Sequence, residues 1–221
     1  LCILNSDTEV RPGALDLLVD FLDRHSDYGA AAPRLVNPDG SVQRACNRQP
    51  GLLAPLIEST SLGRIPPLSL ISGWQKMRDF DHLHSRDVPQ PPGACMVIRR
   101  EEFFALGGLD PVLSLYFNDV DLCRNLLSRG RRIRYISDAV VMHHGGFSTR
   151  VLKHSHGDLL WMRNQADFYR KHYGSLGKYW LVVVRWLWGV EYRMRILLGP
   201  RNWTAKREAW AELRSFLQRC A

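Results

Sequence analysis

Short apolar runs of strand length alternate along this chain with stretches whose apolar residues recur every three or four positions, which restricts it to a layered α/β fold. Residues 1–4 form the first run and end at Asn5-Ser6-Asp7, which fits a buried strand whose carboxyl end delivers polar groups to a crevice. A helix follows. Pro12 suits its first position, and Leu15, Leu18, Val19 and Leu22 form one apolar face up to about Arg24. Residues 30–36 read as a strand closed by the Asn37-Pro38-Asp39-Gly40 turn. Seven of the twelve prolines then fall within 50–92, so that segment is expected to be an irregular excursion with one short helix near 75–81. Order resumes with a strand over 93–98, a helix over 100–106 stopped by Gly107-Gly108, and a helix over 119–128 with Leu122, Leu126 and Leu127 inward. Two short strands over 133–136 and 139–142 lead to His143-His144-Gly145-Gly146, and residues 158–173 and 179–198 have helical composition.

With 221 residues, 45% of them hydrophobic, the chain is large enough for one well-cored domain and an appendage, which excludes a disordered tail, a collagen-like fibre and a small disulfide scaffold. Five cysteines without a CxxC pair read as buried thiols of a reducing compartment. Because the chain opens at Leu1, inside an apolar run, it reads as a fragment, and the lack of a targeting signal excludes nothing. Charge is uneven. Residues 1–121 carry 11 basic and 16 acidic side chains, whereas 122–221 carry 19 and 6, together with six of the seven tryptophans (Trp161, Trp180, Trp186, Trp188, Trp203, Trp210). Amphipathic rings among arginines suit an anionic lipid surface or a nucleic-acid groove. The uncharged run before Arg185 is too short to span a bilayer, so a tail lying on a membrane is favoured over one crossing it.

Three polar clusters fall where open α/β sheets place ligands: Asn5-Ser6-Asp7, the 116–121 stretch Tyr-Phe-Asn-Asp-Val-Asp, and His143-His144-Gly145-Gly146. A carboxylate from Asp7 and an imidazole from His143 can hold a divalent cation and leave positions open for phosphate oxygens. Asp119, at the start of a helix whose dipole favours the ionised form, suits a general base that takes a proton from an attacking hydroxyl. Asp121 lies two residues on and cannot face the same atom, so it is assigned a supporting role. Simpler readings stand beside these: Asp7 as a helix cap, Asp119 and Asp121 as a cap pairing with Arg124, and the histidine pairs 82/84 and 154/156 as surface.

The blocks LNSDTEVRPGAL, PRLVNPDGSVQ, PPGACMVIRREEFFALGGLD, YFNDVDLCRNL and VVMHHGGFST, in that order over about residues 1–173, resemble the inverting family 2 glycosyltransferases, especially their bacterial rhamnosyltransferase-like branch. The resemblance implies a GT-A fold, a Rossmann-like nucleotide-diphospho-sugar transferase domain over 1–150, here lacking its N-terminal βα units; by its own composition the remainder, 151–221, reads as a basic, Trp-rich helical C-terminal tail. It further implies sugar transfer from a nucleoside-diphosphate sugar to an acceptor hydroxyl, a glycan or lipid-linked molecule of the cell envelope, with inversion. Under that resemblance Asn5 and Asp7 match the DxD-type motif, with Asp7 and His143 holding Mg²⁺ or Mn²⁺. Asp119 matches the catalytic base, Gly93 and Ala94 line the acceptor pocket, and Asn118 and Asp121 complete substrate binding. Two positions depart from the pattern: Asn5 stands for the first carboxylate of DxD, and Asn118 for the glutamate that usually precedes the base. The implied setting is cytoplasmic, at the inner face of the membrane, with no nucleic acid as partner. The fragment alone is expected to be inactive. The rival reading is a non-catalytic protein whose basic aromatic tail binds nucleic acid or another polyanion.

Overall fold

The computed structural model describes residues 1–145 and 154–198. The chain divides into two compact units, Leu1–Pro50 with Gly73–Val151, and Gly51–Ser72 with Leu152–Ala221. Residues 51–72, the front of the proline-rich excursion, thus join the unit of the tail.

The first unit is a mixed α/β sheet, as expected. Its strands are β1 (Cys2–Leu4), β2 (Thr8–Val10), β3 (Tyr28–Val36), β4 (Arg86–Asp87), β5 (Cys95–Ile98) and β6 (Arg132–His143). They are ordered β1-β5-β3-β6-β2, with β4 paired to β6 off that path. β3 and β6 run parallel, while β5 is antiparallel to both β1 and β3. β5 alternates faces and is buried on each. Cys95 and Val97 pack with Leu18 and Leu22 of helix α1 (Ala14–Arg24), and Met96 and Ile98 pack with Leu122 and Leu126 of a helix over Asn118–Ser128. A helix on either face of one sheet is the layered solution the alternation of apolar patterns demanded.

Several expectations need correction. The two strands over 133–136 and 139–142 are one strand, β6, whose register slips opposite Pro33: Pro33 pairs Ile136 while Arg34 pairs Val140. A proline without an N–H inside β3 is tolerated at such an irregularity. β2 and β4 were not expected from the sequence. In the excursion the helices are α2 (Ala54–Ser59) and α3 (Leu68–Gln75), joined in part by a 3₁₀ turn at Ser61–Arg64. α3 ends at Gln75 and no helix covers 76–81, because Met77 takes a φ of 44° and is fully buried. α4 (Arg100–Ala105) and α5 (Asn118–Ser128) agree with the sequence reading.

Two side chains were also misplaced. His82 is not on the surface: it is 1% exposed, its Nε2 accepts from the Cys46 backbone N–H at 3.2 Å, and its Nδ1 lies 3.0 Å from the Phe80 carbonyl. Burial holds its imidazole below the ordinary histidine value. Cys46, Cys95 and Cys123 are buried thiols, but Cys2 is exposed.

In the second unit α6 (His154–Leu198) is two helices broken at Gly174, whose φ of 59° and ψ of −144° turn the chain. The halves pack side by side: Arg185 Nη2 donates to the Met162 carbonyl at 2.7 Å, and a Cβ on Gly177 would lie 2.4 Å from the Tyr169 carbonyl oxygen. Tyr169 Oη donates to the Gly51 carbonyl at 2.9 Å, so the hairpin grips the excursion of its own unit. Among the described residues no helix is long and apolar enough to cross a membrane. Gly146 and the rest of the VVMHHGGFST block after it, Trp203, Trp210 and Cys220 lie outside the described residues.

Candidate functional site

The site is built at one end of the sheet. β1 leaves the sheet after Leu4, where the Asn5 N–H donates to the Ala94 carbonyl at 2.9 Å, and the chain re-enters as β2 beside β6, with Thr8 opposite His143. Residues 5–7 therefore link the end of β1 to the start of β2 and bring Asn5 next to Ala94, just before β5, and Asp7 next to His144, at the end of β6. Thr8 Oγ1 donates to the Asn5 carbonyl at 2.7 Å and pins the turn. Since α1 begins only at Ala14, Asp7 does not cap it.

α5 enters from the other side. Phe117 precedes it with φ 65° and ψ 0°, a left-handed conformation that costs a bulky residue of order 1–3 kcal/mol and directs Asn118 and Asp119 into the cleft. Asp119 accepts from the Gly93 N–H through Oδ2 at 2.9 Å and from the Val120 N–H through Oδ1 at 2.8 Å. Burial pushes its carboxyl above the ordinary value, against the pull of those donors. Desolvation is the largest effect on the group, and the result is a carboxylate more basic than an exposed one.

Asn5, Asp7, Gly93, Ala94, Asn118, Asp119 and His143 all line one cleft of about 530 Å³, together with Pro92, Leu109, Leu115, Tyr116 and Phe117. Asp121 does not. It is 3% exposed and its Oδ2 accepts from Asn125 Nδ2 at 3.0 Å, one helical turn on. His143 Nε2 lies 3.4 Å from Asp7 Oδ1, and Asp7 itself is buried. Among the described residues no group of three or more His, Cys, Asp or Glu side chains gathers at one point. The donor set at this end is thus one carboxylate and one imidazole, and it suits a cation whose remaining positions are filled by oxygens of a ligand.

Gln43 was missed. Its Nε2 donates to the His143 carbonyl and to Asn37 Oδ1, both at 2.7 Å, and its Oε1 lies 3.1 Å from His143 Nδ1. It closes the block PRLVNPDGSVQ, but nothing in that block assigned it a role. Next to the site, His144 Nε2 pairs with Glu9 Oε1 at 2.8 Å on the exposed side.

Comparison with known proteins bears on this arrangement. N-acetylglucosaminyl-diphospho-decaprenol L-rhamnosyltransferase of Mycobacterium tuberculosis (strain CDC 1551 / Oshkosh) is 32% identical over 149 residues, covering 66% of this chain and 47% of that protein. O-antigen biosynthesis protein RfbC of Myxococcus xanthus is 31% identical over 153 residues, covering 68% of this chain and 11% of its own length. The match thus spans about half of the rhamnosyltransferase and a small part of RfbC. Residues 1–158, which hold every side chain of the cleft, match the model of glycosyltransferase like family 2. With that match over most of its length, and a mixed sheet consistent with a GT-A-like fold, the chain belongs to glycosyltransferase like family 2.

Proposed function

We propose that this chain carries the acceptor, base and cation-binding part of an enzyme that transfers a sugar, with inversion, from a nucleoside-diphosphate sugar to a hydroxyl of a lipid-linked or cell-envelope glycan. The observation that carries the reading is the convergence of Asp7, His143 and Asp119 on one cleft. Family membership and the relatives named for rhamnosyl transfer and O-antigen biosynthesis support the substrate class.

In this reading Asp119 accepts the proton of the acceptor hydroxyl as its oxygen bonds to the anomeric carbon. The bond from that carbon to the diphosphate breaks on the opposite face, so a single displacement inverts the centre. The raised basicity of Asp119 favours proton removal, while Gly93 and Val120 hold the carboxylate in place. Asp7 and His143 would hold the Mg²⁺ or Mn²⁺ ion, which supplies neutralisation of the charge that develops on the leaving diphosphate. Tyr116 and Phe117 form an apolar wall against which a sugar ring can lie. Asp121 supports α5 from within rather than touching substrate. The test is Asp119→Asn in the full-length protein: transfer is lost while donor binding is kept, and retained turnover overturns the assignment.

The tail is assigned to an anionic membrane surface at the cytoplasmic face. Leu176, Tyr179, Val182, Val183, Trp186, Met194 and Leu197 are exposed at helical spacing on the second half of α6, with Lys178 and Arg193 exposed beside them. Salt-sensitive co-sedimentation with liposomes that contain anionic lipid is expected. Absent binding, or binding indifferent to salt and lipid charge, overturns this part.

A further inference from the structure

We propose that Gln43 is a positioning residue for His143: its carboxamide fixes the imidazole as the tautomer protonated at Nδ1 and turns the bare Nε2 toward Asp7. The proposal rests on the reading of Asp7 and His143 as a cation-binding pair, but the orientation of the ring follows from hydrogen bonding alone.

The direction of each bond is forced. A backbone carbonyl can only accept, so the bond of 2.7 Å to the His143 oxygen identifies that end of the Gln43 side chain as the NH₂ group. A flipped amide would set oxygen against oxygen there. The other end is therefore Oε1, which only accepts, and at 3.1 Å from His143 Nδ1 it requires that nitrogen to carry the proton. A second chain of bonds fixes the same orientation from the other side. Asp39 Oδ1 accepts from Ser41 Oγ at 2.6 Å, Ser41 Oγ accepts from Asn37 Nδ2 at 2.8 Å, and Asn37 Oδ1 is left to accept from Gln43 Nε2 at 2.7 Å. The Gln43 N–H donates to the Leu35 carbonyl at 2.9 Å, which ties the residue to the end of β3.

The consequence lies on the far side of the ring. With Nδ1 protonated, a neutral His143 has its lone pair on Nε2, 3.4 Å from an oxygen of Asp7. Two electron-rich atoms held that close are complementary to a positive charge between or beside them. Gln43 thus does for His143 what carbonyls and carboxylates do behind metal-binding histidines elsewhere: it selects the ligating nitrogen and aims it.

The tautomer can be read directly. In the metal-free protein labelled with ¹⁵N-histidine, at mildly alkaline pH, His143 is expected to show a protonated Nδ1 and a bare Nε2, its signals assigned by their loss in His143→Gln. Gln43→Leu removes the acceptor, so the ring becomes a mixture of tautomers and the affinity for Mn²⁺, titrated by electron paramagnetic resonance, falls about 10–100-fold. A wild-type ring protonated at Nε2, or a Gln43→Leu protein with unchanged tautomer and Mn²⁺ affinity, overturns the proposal. If Gln43→Leu does not fold, the wild-type tautomer decides alone. If the wild-type protein has the expected tautomer yet binds no Mn²⁺, Gln43 stands as a positioning residue and the cation reading falls.

Discussion

A methyl group on Gly93 would strike the proposed base. Built on the present backbone, its Cβ lies 2.7 Å from Asp119 Cβ, 3.1 Å from Oδ2 and 3.2 Å from Cγ, where ordinary carbon contacts are about 3.5–4.0 Å. The contact cannot be relieved by a side-chain swing, because Asp119 Cβ moves only with the first turn of α5. Gly93→Ala must therefore shift α5 or the 92–94 segment by roughly 1 Å, a displacement that can lower a rate about 10²-fold by misplacing one catalytic group. The same shift lengthens the 2.9 Å bond from the Gly93 N–H to Asp119 Oδ2 and adds overpacking strain of about 1–3 kcal/mol. Urea unfolding and the transfer rate of the full-length protein at saturating donor measure the two effects. Gly51→Ala is the control, since a Cβ there meets nothing within 4 Å and its φ is not left-handed. If Gly93→Ala matched wild type in both assays, the tight seat of Asp119 against Gly93 would not be what holds the base.

Because burial raises the Asp119 carboxyl, the acid limb of the transfer profile is expected above the ordinary aspartate value of 3.8, and a limb at or below it refutes the assignment. By the same shift, Asp119 favours folding most when protonated, and that contribution is lost as pH rises through the raised value. Asp87 behaves in the opposite sense: burial pushes it up, but Arg134, Arg132 and Tyr28 together hold it below the ordinary value. Its contribution is present above the ordinary value and is lost as pH falls through the lowered one. After allowance for a side chain 36% exposed, Asp87→Ala should cost about 1 kcal/mol at neutral pH, with the gap closing in acid denaturation. Leu126→Ala, at a residue with 0% exposure between α5 and the sheet, should lower stability by about 2–5 kcal/mol in urea, and a change under 1 kcal/mol, roughly, would contradict the core described.

What was legible in the sequence followed period and burial. The apolar face of α1, the continuous apolar run of β5 and the inward leucines of α5 all answer to a core on both faces of one sheet, and the residues beside them fell into one cleft as a result. Segments that depend on partners were not legible. β2 and β4 are strands of three and two residues, held by pairing with β6 and not by pattern. β6 runs through Ser137 and Asp138, which look like a break, because Ser85 Oγ accepts from the Ser137 N–H at 2.9 Å. His82 looked like surface beside charged neighbours, yet it stacks on Phe80 at 4.1 Å between ring centres and hands its backbone carbonyl to Tyr135. The sense of the Asp119 shift was equally out of reach, since a helix terminus shows in sequence and the burial of the carboxylate does not.

The link that residues 5–7 make between β1 and β2 leaves the cleft dependent on long-range pairing. Asp7 and His143 come from the two extremes of the first unit's sequence and meet only once β2 has docked on β6, so no local fragment can preform the pair. Any opening that peels β2 away abolishes it. Whatever binds there therefore acts on the whole sheet, and a ligand at a hundred times its dissociation constant would add about 2.7 kcal/mol to the unit's stability. Occupancy and integrity of this fold are in that sense a single equilibrium, with the edge strand as its latch.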